Sequence, residues 1–277
     1  MRKQHSLSSR RTLALCVSIV LAALFLFPAL LLALNSFKTL KEIYKSVLLL
    51  PQSLNFSNYL QAFDKLDYLT SIKNSLIITV GVTVCATLFC PMAAWVLART
   101  KSRTSKVLFA LFSLSILVPF QCVMLPLLRV MGSLHMMNRI GLMTINLGFL
   151  CPMSILLYHG FIKSIPADLE EAAAIDGCGP VRTFFMIVLP LLKGISATVA
   201  ILCVMSLWND FLLPSLTINK AGLQTLPLKT YLFFGAYSKK WNLGTAALVL
   251  AVIPVVTFYA FCQKYIIKGV TEGAVKG

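Results

Sequence analysis

The stretch Glu171–Pro190 reads EAAAIDGCGPVRTFFMIVLP and is the longest polar-flanked break in an otherwise apolar chain. Pro166 suits a first helical position. Asp168, Glu170 and Glu171 follow in the first turns, where carboxylates favour the positive end of the helix dipole. Leu169, Ala172, Ala173 and Asp176 recur on one face at helical spacing. That face is narrow and small, so another surface can approach the backbone closely. Gly177 supplies a residue able to turn left-handed and stop the helix. Gly179-Pro180 reads as a turn into a second helix, made apolar by Phe184, Phe185, Ile187 and Val188, before Pro190. Residue physics alone leaves two readings open, an amphipathic linker helix lying on a membrane surface and a docking loop.

The surroundings of this stretch are membrane-like. The chain of 277 residues is 58% hydrophobic and only 12% charged, with a mean hydropathy of +0.84. A soluble domain carries about twice that share of charge. The formal net charge is +16, but the basic residues sit in short segments flanking apolar runs. Anchoring at lipid headgroups accounts for them better than nucleic acid does. About 20 apolar residues cross a bilayer as helix. Six runs meet that length: Leu13–Leu34, Leu76–Ala98, Val107–Leu128, Ile140–Ile162, Gly194–Leu216 and Gly244–Ile266. The first resembles a signal peptide in its basic start, yet it is too long and lacks a small-x-small cleavage site. The expectation is one all-α transmembrane domain over residues 1–277, with a loop at 166–190 and a tail at 267–277.

Six spans put both termini on one side. The short loop Arg99–Lys106, half basic, places that side in the cytoplasm, although Lys239 and Lys240 in a longer loop oppose the rule. The first outer loop, Asn35–Ser75, carries Tyr59, Leu60, Phe63 and Leu66 at helical spacing. This predicts a short amphipathic helix, either resting on the bilayer or meeting an outside partner. Pro28, Pro91, Pro119, Pro126, Pro152, Pro214 and Pro254 lie within the runs, and each removes a backbone hydrogen bond. Together they read as bent helices around a path, or singly as the ordinary proline content of membrane helices. Gln121, Asn209 and Asp210 are the polar groups to watch, either on a solute path or in helix packing. All eight cysteines but Cys178 lie in apolar runs, with no CxxC and no Cys/His metal spacing, so no metal site is expected and reduced packing residues are.

No GxxxxGK[ST] phosphate loop, nucleophile elbow or HExxH motif occurs, which speaks against an enzyme. A proton- or sodium-driven carrier calls for buried acids in matching halves. One acid and no obvious repeat speak against such a carrier.

The spacing Glu171-Ala172-Ala173, three residues, Gly177, nine residues, Ile187, one residue, Leu189-Pro190 resembles the EAA loop of ABC importer permeases without a gap. Further stretches look like the maltose-type carbohydrate branch of that family and run nearly end to end. They are Asn35-Ser36-Phe37-Lys38, Asn58-Tyr59, Asn74-Ser75-Leu76, Val118–Gln121 with Pro126, Gly160–Pro166, Trp208–Phe211 and the tail Lys268–Gly277, the last similar to that of the smaller pore subunit. Cys178-Gly179-Pro180 departs from the family's usual turn.

The resemblance implies a type I importer permease fold with six transmembrane helices and a cytoplasmic coupling helix. It implies a pore subunit of an ATP-driven sugar importer in a bacterial-type plasma membrane. Its partners would be a second homologous permease, two ATPase subunits, an extracytoplasmic sugar-binding protein and membrane lipid, with no nucleic acid. No cofactor is expected on this chain, ATP and Mg being used by the ATPase. Glu170, Glu171, Ala172, Ala173, Asp176, Gly177, Ile187, Leu189 and Pro190 fall on the ATPase-coupling segment. Lys268, Gly269, Gly273 and Lys276 fall on a tail that contacts the ATPase, and Lys220, Gly222 and Leu223 on a loop that meets the binding protein. The alternatives are a related permease for a non-sugar solute such as a glycerol phosphate ester, and a stand-alone secondary carrier.

Overall fold

The computed structural model describes residues 2–234 and 240–274, with side chains described over 11–231, 233–234 and 240–263. Among these residues the structure is helical throughout, with no strand. The helices are α1 (Arg2–Ser36), α2 (Leu40–Lys45), α3 (Ser57–Leu66), α4 (Tyr68–Arg99), α5 (Arg103–Ser115), α6 (Phe120–Ser133), α7 (Arg139–Ile162) and α8 (Asp168–Ile175). After these come α9 (Pro180–Thr183), a π-helical turn (Phe184–Val188), α10 (Leu189–Leu191), α11 (Lys193–Trp208), α12 (Leu212–Thr217), α13 (Leu226–Tyr231), a 3₁₀ turn (Leu232–Phe234) and α14 (Trp241–Ala274). Two compact units result, one from residues 1–68 and 229–254 and one from residues 69–228 and 255–277.

Among the described residues four helices are long and apolar enough to cross a membrane: Arg11–Ser36 of α1, α4, α7 and Trp241–Gln263 of α14. Two sharply bent pairs bring the number to six if each pair is one span. The run Val107–Leu128 does not form the continuous helix expected. α5 and α6 meet at 105°. Pro119 stands at the break with φ −64° and ψ 139°. It has no N–H to donate and pushes the preceding residue out of the helical region. The run Gly194–Leu216 is likewise two helices. Pro214 cannot donate to the carbonyl of Asp210, and the Asn209 amide takes the Met205 carbonyl at 2.7 Å. The second bent pair is Pro180–Leu191 with α11, at 78°.

The first unit is organised by polar side chains. Thr39 and Glu42 form a capping box that starts α2. The backbone amides of Thr39 and Gln52 hold the Glu42 carboxyl below its usual range. Lys38 is buried, and its ammonium donates to Asn35 Oδ1 at 2.9 Å and to the carbonyls of Ser46 and Val47 at 3.2 and 2.9 Å. Asn58 is 1% exposed on the expected amphipathic helix α3. Its amide donates to the carbonyls of Ser36 (2.9 Å) and Lys38 (2.8 Å), and its Oδ1 accepts from Asn242 (2.8 Å).

In the second unit α4 buries one stripe at four-residue spacing: Ile78, Val82, Ala86, Cys90 and Ala94. They pack with Ile155, Tyr158 and Ile162 of α7 and Val199, Cys203 and Leu207 of α11. Small residues along α4 allow close helix approach where lipid offers no hydrophobic driving force between helices. The Tyr158 hydroxyl donates to Ser196 at 2.9 Å. Cys90 and Cys151 approach to 3.4 Å between sulfurs, and all eight cysteines are free thiols. Gly141 opens α7 so close to the Met136 carbonyl that a Cβ would lie 1.9 Å from its oxygen.

Replacing Asn58 with Ala strands two buried carbonyls and the Asn242 amide. Detergent-solubilised protein carrying Asn58→Ala is expected to lose about 2–3 kcal/mol of stability in denaturant titration. An unchanged midpoint would show that Asn58 does not hold the first loop together.

Candidate docking loop and opposite-end loop

α8 forms where the carboxylates of Asp168, Glu170 and Glu171 crowd its first turn. It ends as the sequence predicts. Gly177 sits at φ +79°, Gly177 N–H donates to the Ala174 carbonyl (3.1 Å) and Cys178 N–H to the Ala173 carbonyl (2.9 Å). These two bonds are the Schellman closure, which needs a left-handed residue at that place. Gly179 and Pro180 then open α9, with Pro180 at its first position. Phe184, Val188 and Leu192 follow at four-residue intervals, each no more than 1% exposed. A π-helical turn brings them onto the core.

The loop is fastened to α4. Glu170 accepts from Trp95 Nε1 at 2.9 Å and from Arg99 Nε and Nη2 at 3.0 and 2.8 Å. Arg99 Nη2 also reaches the Ile165 carbonyl at 2.9 Å. The Arg99 and Glu170 side chains are 24% and 14% exposed, so the pair is sheltered but not sealed. The Trp95 ring lies 5.6 Å from that of Phe184. One indole thus touches both α8 and the π-helical turn.

Glu170 is engaged by its own chain, because Trp95 and Arg99 take both carboxylate oxygens. Ala173 is 4% exposed and packs inside the chain, so a larger side chain there is overpacked at home and not against a partner's wall. Glu171, Ala172, Asp176, Gly177 and Pro190 are exposed. Ile187 and Leu189 are half-buried, Leu189 against the core. Sequence reasoning missed the most prominent surface feature, Ile175 at 86% exposure and Val181 at 67%, two apolar side chains flanking the Gly177 turn. The signal was present in Ile175 itself, which does not share the face of Leu169, Ala172 and Ala173.

The start of α4 holds a second loop. Gly222, at φ +78°, closes a turn in which Leu223 N–H donates to the Lys220 carbonyl at 3.1 Å. Asn219 through Gly222 are exposed. Leu223, expected to face a partner, is half-buried against the core, because the turn swings its side chain inward. Asn74 and Arg99 are separated by about 38 Å along α4 at roughly 1.5 Å of rise per residue. The two loops therefore sit at opposite ends of one helix.

Of the polar groups named for a solute path, Gln121 and Asn209 are exposed and Asp210 is half-buried. Asp210 Oδ1 accepts from Leu213 N–H at 3.4 Å at the start of α12. Inside the α5–α6 elbow an apolar groove of about 380 Å³ borders Thr144, Gly148 and Phe149 of α7, and Gln121 does not line it. In the tail, α14 runs unbroken to Ala274 and carries Lys268, Gly269 and Gly273. The Lys268 side chain, and Lys276, lie outside the described residues.

The family of binding-protein-dependent transport system inner membrane components matches residues 91–272. The chain is 42% identical over 276 residues, the whole of both chains, to the probable starch degradation products transport system permease protein of Thermoanaerobacterium thermosulfurigenes. It is 35% identical to the melibiose/raffinose/stachyose import permease protein of Bacillus subtilis, covering 97% of this chain and 98% of that one. Among solved structures it resembles a bacterial ABC transporter involved in the import of the acidic polysaccharide alginate. There the TM-score is 0.74 at 25% identity, with 93% of this chain and 97% of that chain covered. Members of this family are transport subunits and not enzymes, they lie in the bacterial plasma membrane, and they work with an ATPase and a binding protein. With the EAA spacing, the helical spans and these matches in agreement, the chain belongs to the inner-membrane permease components of binding-protein-dependent ABC importers.

Proposed function

We propose that this chain is a pore subunit of an ATP-driven sugar importer that passes solute from an extracytoplasmic binding protein to the cytoplasm by alternating access. The observation that carries the reading is the fastened corner Asp168–Val181. Its Glu170 is locked to α4 while Glu171, Ile175 and Val181 stand exposed around the Gly177 turn. An exposed apolar pair on a rigid mount suits a cleft in an ATPase subunit. The relatives named above are a probable permease of a starch degradation products transport system, a melibiose/raffinose/stachyose import permease and a transporter involved in alginate import, and this favours a carbohydrate over a glycerol phosphate ester. Membership of a binding-protein-dependent family disfavours a carrier acting alone.

In this reading the pore is a heterodimer with a second homologous permease, and two ATPase subunits bind ATP and Mg²⁺ below it. Both termini are cytoplasmic, so α8 faces the ATPases and the Asn219–Gly222 turn faces the binding protein. The α14 extension carrying Lys268, Gly269 and Gly273 reaches toward the ATPase pair. This chain itself binds no cofactor.

Gly177→Val forces a β-branched residue into a left-handed conformation, at about 1–2 kcal/mol or more. Ala173→Leu overpacks the joint between α8 and the core by about 1–3 kcal/mol. Both variants should insert in the membrane yet lose ATPase copurification or hydrolyse ATP without matching sugar uptake. Normal copurification and uptake in both would mean the corner is a passive linker.

At the other end, replacing only Asn219–Gly222 with Gly/Ser, which spares the buried Leu226, should raise the binding-protein concentration needed for half-maximal ATPase stimulation. Assembly should be intact. Unchanged stimulation would remove the turn from the binding-protein interface.

A further inference from the structure

Asn74 is 2% exposed on the core face of α4, in line with Ser71, Ser75 and Ile78. Its amide nitrogen donates to two main-chain carbonyls of the Asn219–Gln224 segment, Gly222 at 2.9 Å and Gln224 at 3.1 Å. Its Oδ1 accepts from Arg139 Nη2 at 2.7 Å. The next residue, Ser75, accepts from Leu226 N–H at 2.9 Å. Within the segment, the Gln224 side chain closes back on Asn219 Oδ1 at 2.6 Å. One buried amide therefore grips the loop by its backbone on both sides of Leu223, and a guanidinium from the first residue of α7 fixes which way that amide faces. Swapping the amide's nitrogen and oxygen would set two carbonyls against an oxygen and Arg139 against an N–H, so the orientation is forced.

Arg139 is informative in its own right. A cation in the first turn of a helix opposes the helix dipole, and no helix-forming preference places it there. Its contact with Asn74 Oδ1 at 2.7 Å offsets that cost.

We propose that Asn74, oriented by Arg139, is a positioning residue that presents the Asn219–Gly222 turn to the binding protein and couples that turn to α4. The proposal rests on the reading that this turn meets the binding protein. α4 carries Asn74 near its start and Trp95 and Arg99 at its end, where they clasp Glu170. Because Asn74 holds both loop carbonyls from α4, the turn moves with that helix. Because the grip is on backbone atoms, it holds whatever side chains occupy the tip, so the tip is free to differ between binding proteins.

The test uses the assembled transporter in proteoliposomes with its purified binding protein. In Asn74→Ala the half-stimulating concentration of binding protein should rise about tenfold, the change produced by losing roughly 1.4 kcal/mol of preorganisation. The maximal stimulated rate should stay within about twofold. In parallel, tryptic cleavage after Lys220, followed by mass spectrometry without binding protein, should accelerate about tenfold as the turn is released. Arg139→Lys, which keeps a donor for Asn74 Oδ1, should sit near the parent in both readouts, and Arg139→Met should follow Asn74→Ala. The two arginine variants also decide the matter should Asn74→Ala fail to assemble. Unchanged cleavage after Lys220 in Asn74→Ala or Arg139→Met overturns the positioning role. Faster cleavage with an unchanged half-stimulating concentration shows that the turn is held as described but is no binding-protein contact, which overturns the underlying reading instead. A fall in maximal rate with no change in half-stimulating concentration also overturns the proposal, since it marks Asn74 as part of the pore and not of presentation.

Discussion

The clasp of Glu170 by Trp95 and Arg99 is the constraint on which the functional geometry depends. Three charge-assisted hydrogen bonds converge on one carboxylate that is 14% exposed. Such bonds are about twice as strong as neutral ones, and removing one partner leaves the other poorly solvated. Arg99 brings Nε and Nη2 together onto Glu170 Oε1 while Trp95 holds Oε2, and this planar two-nitrogen grip fixes direction as well as distance, which a lysine at that place could not do. With the clasp closed, α8 cannot swing about its connection to α7. The Gly177 turn and the apolar pair Ile175 and Val181 are then presented at a fixed place relative to α4. Without it, the exposed loop would be an eight-residue helix, far too short to hold its own shape in water.

α4 is correspondingly a strut between two loops. Its apolar stripe is locked into α7 and α11, so a push delivered at Arg99 is carried by packed side chains along the helix to the end where Asn74 holds the Asn219–Gly222 turn. The sharp bends lie elsewhere, between α5 and α6 and between the α9–α10 segment and α11. The second unit therefore combines one continuous lever with broken helices that border a groove. Discontinuous helices of this kind are tolerated at membrane depth where protein or a lined cavity satisfies the freed backbone groups.

Much of this was legible in the chain. Gly177 was readable because only a residue without a Cβ takes the left-handed turn cheaply, and its neighbours already spelled a helix stop. The membrane class followed from run lengths, and the family from the unbroken EAA spacing. The breaks at Pro119 and Asn209 were not drawn, because hydropathy reports side chains, whereas these breaks are backbone events inside apolar runs. The partners of Glu170 were invisible for a different reason. They lie 71 and 75 residues away in sequence, and an acid in a first helical turn already has a sufficient local explanation in the dipole. Ala173 and Leu223 were placed on partner-facing segments by the family resemblance, which does not say which side of a short helix or turn faces inward; that is decided by the tertiary anchor, here the clasp and the Asn74 grip.

The central claim is that Arg99 and Glu170 act as one unit joining the α8 loop, proposed to face the ATPase, to the lever. The most direct measurement is a double-mutant cycle on sugar imported per ATP hydrolysed in the reconstituted transporter, using Arg99→Gln, Glu170→Gln and the pair. If the clasp carries coupling, each single variant lowers the ratio about tenfold and the double variant is no worse than either, a non-additivity of roughly 1.4 kcal/mol. Additive losses, or single variants that import as much sugar per ATP as the parent, would contradict it.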